Sequence, residues 1–325
     1  MNKLFLLLTS IAIATMGCGT ESGGSAGMGG VPGTGAVGGM GGTGGTAIKC
    51  TTAEEILRCD GIVLNIAHQG GGRIRPEHTL VAYEQALADG ADVLELDIHA
   101  TSDGVIVVMH DDTIDRTTDG TGAIKDMTFE ELRTYDAGYD FTPDDGMTYP
   151  YRGMGLVVPS LEEVLEAFPD VPYLIEIKQA EPSIVDDFVA ITREQGVIRQ
   201  INGAGFDDTV LAELRAKAPE MATSFALGEV FEYFIESTNP DGVDPSYVPP
   251  AEFLQVPPEQ GGVMVLHDQF VPIAHELGLK VHVWTINDEA EMRELIEDFG
   301  VDGIITDVPP LLTTVLEDTG TRLPD

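Results

Sequence analysis

Residues 62–110 read IVLNIAHQGGGRIRPEHTLVAYEQALADGADVLELDIHATSDGVIVVMH, and their pattern decides the fold. Ile62–Ala67 and Val93–Ile98 are near-continuous apolar runs of strand length. Between them Thr79–Ala88 has a helical pattern that stops at Gly90. Strands apolar on both faces are those of a parallel sheet covered by helices on its outside. The next apolar run, Val105–Met109, follows after only the turn Thr101–Gly104. A parallel crossover needs a dozen or more residues, so this run must return as an antiparallel hairpin extension of the second strand.

Working outward, the alternation continues. Strand-like runs recur at Tyr173–Ile177, Ile198–Asn202, Ala222–Ala226, Phe253–Val256, Val281–Thr285 and Gly303–Thr306. Helical patterns lie at Leu161–Ala167, Ser183–Gln195, Asp208–Lys217, Val271–Leu277 and Glu289–Phe299. Eight strands with helical crossovers predict an α/β fold, a (β/α)8 TIM barrel, over residues 50–325. The Pro- and acid-rich stretch Glu229–Ala251 reads as a surface excursion.

The first forty-nine residues read differently. Lys3 precedes the short apolar run Leu4–Ala14, and Gly17 stands directly before Cys18. That is the pattern of a bacterial lipoprotein signal over residues 1–17, with Cys18 lipidated; an ordinary secretory signal and a retained anchor are the alternatives. Residues 18–49 form a glycine-rich tether, expected to stay disordered because it cannot bury enough to offset ordering entropy. The expected location is periplasmic or cell-surface, with the membrane reached through the lipid anchor only. Export makes Cys50 and Cys59 an expected disulfide around the short helix TTAEEILR, with two free thiols as the competing reading.

Composition excludes whole classes. With 17 basic and 55 acidic residues the net charge is −38. Nucleic-acid binding needs a basic footprint and is excluded. An anionic small-molecule substrate would need bound cations or local Lys and Arg to overcome the field.

Barrel enzymes carry their chemistry at the C-terminal ends of strands. There the sequence supplies His68 and Gln69 after strand one, and Glu95 and Asp97 on one face of strand two. His110-Asp111 ends the hairpin, and Glu176 and Lys178 share a face of the next strand. Three carboxylates without matching cations are costly in an apolar barrel. One hard divalent cation, Ca²⁺ or Mg²⁺, would relieve that cost, and two histidines beside it suit acid and base roles. Taken singly, each piece also has a structural reading; Glu176 and Lys178, for instance, could be a simple ion pair.

The segment Ile66–Thr118 closely resembles the glycerophosphodiester phosphodiesterase family. The family's pattern runs His-Arg-Gly, Pro-Glu-Asn-Thr, Glu-x-Asp, Thr-x-Asp-Gly and His-Asp, ending in an Arg-Thr-Thr-like turn. The resemblance continues in Val158–Glu163, Ile175–Lys178, Val283–Asn287 and Asp302–Asp307. It implies metal-dependent hydrolysis of glycerophosphodiesters to glycerol phosphate and an alcohol. It implies Glu95, Asp97 and Glu176 as metal ligands, His68 and His110 as the acid/base pair, and Lys178 as a phosphate contact. Glu77 and Trp284 are implied beside the substrate. Two positions depart from the pattern. Gln69, expected to contact substrate, stands where the family has a phosphate-binding Arg, and His78 stands for Asn. Arg73 or Arg75 is the candidate to restore the charge. His99, His267, His275 and His282 match no motif and read as structural or surface residues. The alternatives are a lipid-directed phosphodiesterase of phospholipase D or sphingomyelinase D type, and a non-catalytic surface-binding lipoprotein.

Overall fold

The computed structural model describes residues 50–324. The leader, the tether and Cys18 lie outside the described residues. Strands follow the chain as β1 Leu64–Ala67, β2 Val93–Ala100, β3 Ile106–Val108, β4 Tyr173–Ile177, β5 Ile201–Ala204, β6 Ala222–Thr223, β7 Phe253–Val256, β8 Glu259–Gln260, β9 Val263–Met264, β10 Lys280–Val283 and β11 Gly303–Thr306. Eight of them pair in parallel in the order β6–β5–β4–β2–β1–β11–β10–β7. A parallel bridge between Ser224 and Phe253 brings the two ends of that order together. The expected (β/α)8 barrel is present, and β3 returns antiparallel on β2, pairing Ile98 with Val108 and Ala100 with Ile106.

The period of two explains the closure. Leu64, Ile66, Val93, Leu174, Ala204, Ala222, Phe253 and Ile305 point inward and form one buried interior cluster. Their alternates, such as Leu94, Leu96, Tyr173 and Ile175 on one side and Val281, Val283 and Ile304 on the other, pack outward against helices. Each large apolar side chain so buried contributes about 1.5–3 kcal/mol. Gly303 is required where it stands: a Cβ there would meet His282 Cδ2 at 2.8 Å and Ile66 Cδ1 at 3.1 Å.

The N-terminal end of the barrel is plugged. The helix Ala53–Leu57 starts on a reciprocal cap between Thr52 and Glu55. Cys50 and Cys59 are joined by a disulfide across it, and Leu57, Cys59 and Ile62 enter the interior cluster. Among the described residues no helix is long and apolar enough to cross a membrane.

The readings of the fourth barrel strand and of the excursion change. β5 begins at Ile201, because Ile198–Gln200 makes one 3-10 turn first. Overlapping the start of the supposed surface excursion, Leu227–Ser237 is a helix. Its acids fall between apolar positions, so Tyr233 is buried and donates its hydroxyl to Phe270 O at 2.6 Å, while Glu229 pairs with Arg215. The hairpin, finally, opens a satellite with its own core of Val107, Met109, Ile114, Ile124, Leu132, Ala137 and Val158.

Candidate active site

The same period of two fills the C-terminal mouth with polar groups. Above inward-facing Val93, β2 turns Glu95, Asp97 and His99 inward. Asp97 lies opposite Glu176 in the β2–β4 register, and Lys178 follows Glu176 by two residues. His68 runs on from β1, and Asp307 from its neighbour β11, where Ala67 pairs with Thr306.

Lys178 sits between the acids. Its Nζ donates to Glu176 Oε2 at 2.9 Å and stands 3.2 Å from Asp97 Oδ1. Burial opposes its charge, but Asp97 and Glu176 outweigh burial and hold the ammonium well above its usual range. Asp97 is 1% exposed. Burial works against its ionisation too, yet Lys178 and the His78 hydrogen bond keep it far below the usual carboxylate range. Glu95 is raised to about 8, first by burial and then by the charge of Asp97. Burial likewise raises Glu176, against the pull of Lys178.

His68 Nδ1 is 2.6 Å from Asp307 Oδ1. Asn287 Nδ2 donates to Asp307 Oδ2 at 2.7 Å, and Asp307 N–H donates back to Asn287 Oδ1 at 2.8 Å. Burial would lower the His68 pKa; the Asp307 hydrogen bond and the charges of Glu95, Asp307 and Asp97 overcome it and raise the ring to about 9. His110 Nδ1 is 2.7 Å from Asp111 Oδ1. Arg116 Nε donates to Asp111 Oδ2 at 2.8 Å and binds both oxygens of Glu77 at 2.6 Å. The His110 hydrogen bond, with Arg116 behind it, holds Asp111 well below its usual range.

The sequence candidates therefore reach the mouth in different roles. Glu77 is engaged by Arg116. Gln69 spends its backbone N–H on Glu95 Oε2 at 2.7 Å and its amide on Asp97 Oδ2 at 3.4 Å. Trp284 lies on the opposite wall, edge-on to the exposed Phe206 with ring centroids 6.2 Å apart. Arg75 is turned away to Asp89; Arg73 is exposed, and its charge reaches Asp307. His99 has a structural role: its Nε2–H donates to the His110 carbonyl at 3.2 Å. A cleft of about 170 Å³ opens beside Lys178, lined by His99, Asp112, Lys125, Gln179 and Glu181.

Sequence reasoning gave no role to Asp307, Asn287, Asp111, Arg116 or Tyr83. Asp307 could have been found, because it stands two residues beyond inward-facing Ile305 on the last strand. Among the described residues no three His, Cys, Asp or Glu side chains converge closely enough to share a metal ion. The three acids share one wall, with Lys178 between Asp97 and Glu176.

Residues 68–311 match the glycerophosphoryl diester phosphodiesterase family. The chain is 31% identical over 296 residues to a glycerophosphodiester phosphodiesterase of Bacillus subtilis (strain 168), covering 83% of this chain and 92% of that one. It is 26% identical over 270 residues to mouse lysophospholipase D GDPD3, covering 77% and 81%. Among solved structures it resembles a putative glycerophosphoryl diester phosphodiesterase from Silicibacter pomeroyi DSS-3, with 26% identity, a TM-score of 0.67, and coverage of 83% and 98%. The chain therefore belongs to the glycerophosphoryl diester phosphodiesterase family, as a (β/α)8 enzyme of the phosphoric diester hydrolase class.

Proposed function

We propose that this mouth hydrolyses glycerophosphodiesters to a glycerol phosphate and an alcohol, with His68 and His110 moving the protons and Glu95, Asp97 and Glu176 holding one divalent cation. The observation that carries the reading is the convergence of two carboxylate-backed imidazoles with three acids and one ammonium at one barrel end.

Family members generally depend on a divalent metal ion. The donor set suits one chemically, although as they stand no three of these side chains sit close enough to share an ion and Lys178 lies between Asp97 and Glu176. Three carboxylates share a wall, Asp97 Oδ1 is buried without a hydrogen bond, and Glu95 is held about 8 by burial and Asp97. A bound Ca²⁺ or Mg²⁺ would neutralise a non-bridging phosphate oxygen and stabilise charge growing at phosphorus. The chain's own groups do the rest. Lys178 binds the phosphate as a point charge. His68, protonated at neutral pH, protonates the leaving alkoxide, and Asp307 keeps its ring oriented. His110, its ring fixed by Asp111, takes the proton from the attacking hydroxyl. Where that is the neighbouring glycerol hydroxyl, a cyclic phosphate forms and water then opens it with the two rings exchanging roles; where it is water, the glycerol phosphate forms directly.

The test is turnover of glycerophosphocholine and glycerophosphoethanolamine with and without chelator. Activity should vanish with chelator and return with Ca²⁺ or Mg²⁺. Activity in excess chelator would remove the cation from the reading; no turnover of any glycerophosphodiester would remove the substrate class. The mouse lysophospholipase D relative supports a second, lipid-directed reading. Faster turnover of lysophospholipid than of glycerophosphocholine would favour it.

We also propose export as a lipoprotein anchored through Cys18. The leader pattern and the Cys50–Cys59 disulfide support it, since such bonds persist in oxidising compartments. A Cys18→Ala chain should leave the membrane fraction.

A further inference from the structure

Gln69 and His78 are the two positions at which this sequence departs from its family's pattern around the site. Read singly, each is a loss: a charge at one, a small amide at the other. In three dimensions they form one feature. Both hold left-handed backbone, at φ 54° and 56°, and the His78 N–H closes the loop on Gln69 O at 3.0 Å. Asn and His tolerate that region better than most side chains, so a histidine can replace asparagine here without rebuilding the loop.

Their side chains end on a single atom. Asp97 Oδ2 lies 2.9 Å from His78 Nε2 and 3.4 Å from Gln69 Nε2. Behind His78, its Nδ1 stands 2.7 Å from the hydroxyl of Tyr83, which is fully buried and whose pKa burial drives up. The Asp97 carboxylate can only accept, so Nε2 carries the proton and donates to it, and Nδ1 of the neutral ring accepts from the Tyr83 hydroxyl. Asp97's other oxygen, Oδ1, is buried and has no hydrogen bond, with only the Lys178 ammonium 3.2 Å away.

We propose that Tyr83, His78 and Gln69 are a positioning set that grips Asp97 by Oδ2 and presents Oδ1 to the bound cation, and that Gln69 and His78 work as a coupled pair. The cation half rests on the reading of Asp97 as a ligand given above; the coupling does not. His78 and Gln69 touch no substrate in this account. They act through Asp97, as outer groups commonly orient a ligating carboxylate.

A double-mutant cycle over Q69R, H78N and Q69R/H78N in the full chain tests both halves. Two quantities are read: the dissociation constant for Ca²⁺ and for Mg²⁺ by calorimetry without substrate, and the melting temperature in chelator. H78N should weaken cation binding by about 10-fold or more, because the shorter amide cannot span Tyr83 to Asp97. Q69R alone should weaken it comparably, since a guanidinium would crowd His78 and compete with Lys178 for Asp97. The double variant should bind within about 3-fold of the wild type, because the amide at 78 leaves room for the longer side chain, and its melting temperature should show the same recovery. Y83F should change the ¹⁵N shifts of His78 by releasing its tautomer, which a packing role would not require. Additive single effects in both readouts would overturn the pairing, even if the wild type binds a cation. A wild type that binds neither ion would overturn the cation half and the reading beneath it, while the cycle in melting temperature would still decide the coupling.

Discussion

The two histidines of the mouth are held by the same chemistry on different foundations. His68 leaves β1 and leans on Asp307, which leaves the adjacent strand β11; Asn287, beyond β10, fixes that carboxylate. Every part sits on a barrel strand end. His110 lies off the barrel, and its carboxylate is its own neighbour Asp111. That pair is tied to the barrel by Arg116, which spans to Glu77 in the loop after β1. A neutral amide leaves Asp307's charge for the imidazole. A guanidinium shares Asp111's charge before the imidazole meets it. One ring is thus set by electrostatics, the other by a clamp that also anchors the satellite.

The comparison can first be broken at the rings themselves. His68→Ala and His110→Ala should each lower kcat by about 10²- to 10⁴-fold with the fold intact by circular dichroism, His68→Ala also losing the stability its Asp307 contact supplies at neutral pH. If either variant keeps near-full activity, that ring is not a proton carrier. The carboxylates come next. Asp307→Asn should cost about 10²-fold in kcat by removing the charge and inverting the hydrogen bond to His68. An NMR titration of His68 should then show its pKa falling from about 9 toward the ordinary imidazole value. A pKa that stays near 9 would assign the elevation to Glu95 and Asp97 instead.

How much of this the sequence carried depends on range. The Glu95–Asp97 pair was legible because a strand's period of two is local, and the hairpin because Thr101–Gly104 is too short for a crossover. His68 was legible as the residue beyond an apolar strand. The link from His68 to Asp307 spans 239 residues, and only closure of the barrel makes β1 and β11 neighbours. The Arg116–Glu77 clamp depends on how the satellite folds back, which no periodicity records. The helix Leu227–Ser237 was hidden by averaging: the acids and prolines of residues 238–251 masked the amphipathic turns before them. Gln69 and His78 were visible as departures, but their meeting on Asp97 was not.

The clamp gives a smaller effect. Arg116→Met should lower kcat by roughly 10-fold and leave KM nearly unchanged, because it loosens His110 without touching phosphate. Glu77→Gln should do the same more weakly, since one charge-assisted bond becomes neutral. A rise in KM with kcat intact would instead return Glu77 to substrate binding, as the family resemblance first implied, with Arg116 holding it there.

The smallest effect is on stability, and it separates the two rings most cleanly. His68 titrates at about 9 in the folded chain against an ordinary 6.5. Because the folded value is the higher one, folding favours the protonated ring. That contribution is complete below about pH 6.5 and is lost as pH rises toward 9, with a slope of at most about 1.4 kcal/mol per pH unit. Asp307 is lowered through the same contact, against the effect of its burial, so its share is present above its ordinary 3.8 and lost as pH falls below it. Glu95, raised to about 8, adds a loss of the same sign below that pH, so chemical denaturation in chelator between about pH 8 and 9.5 isolates the ring: it should show the alkaline loss in the wild type and in Arg116→Met, and a much shallower one in Asp307→Asn. An equal slope in all three would mean that the Asp307 contact does not set the ring's affinity for its proton, and the contrast between the two foundations would reduce to geometry alone.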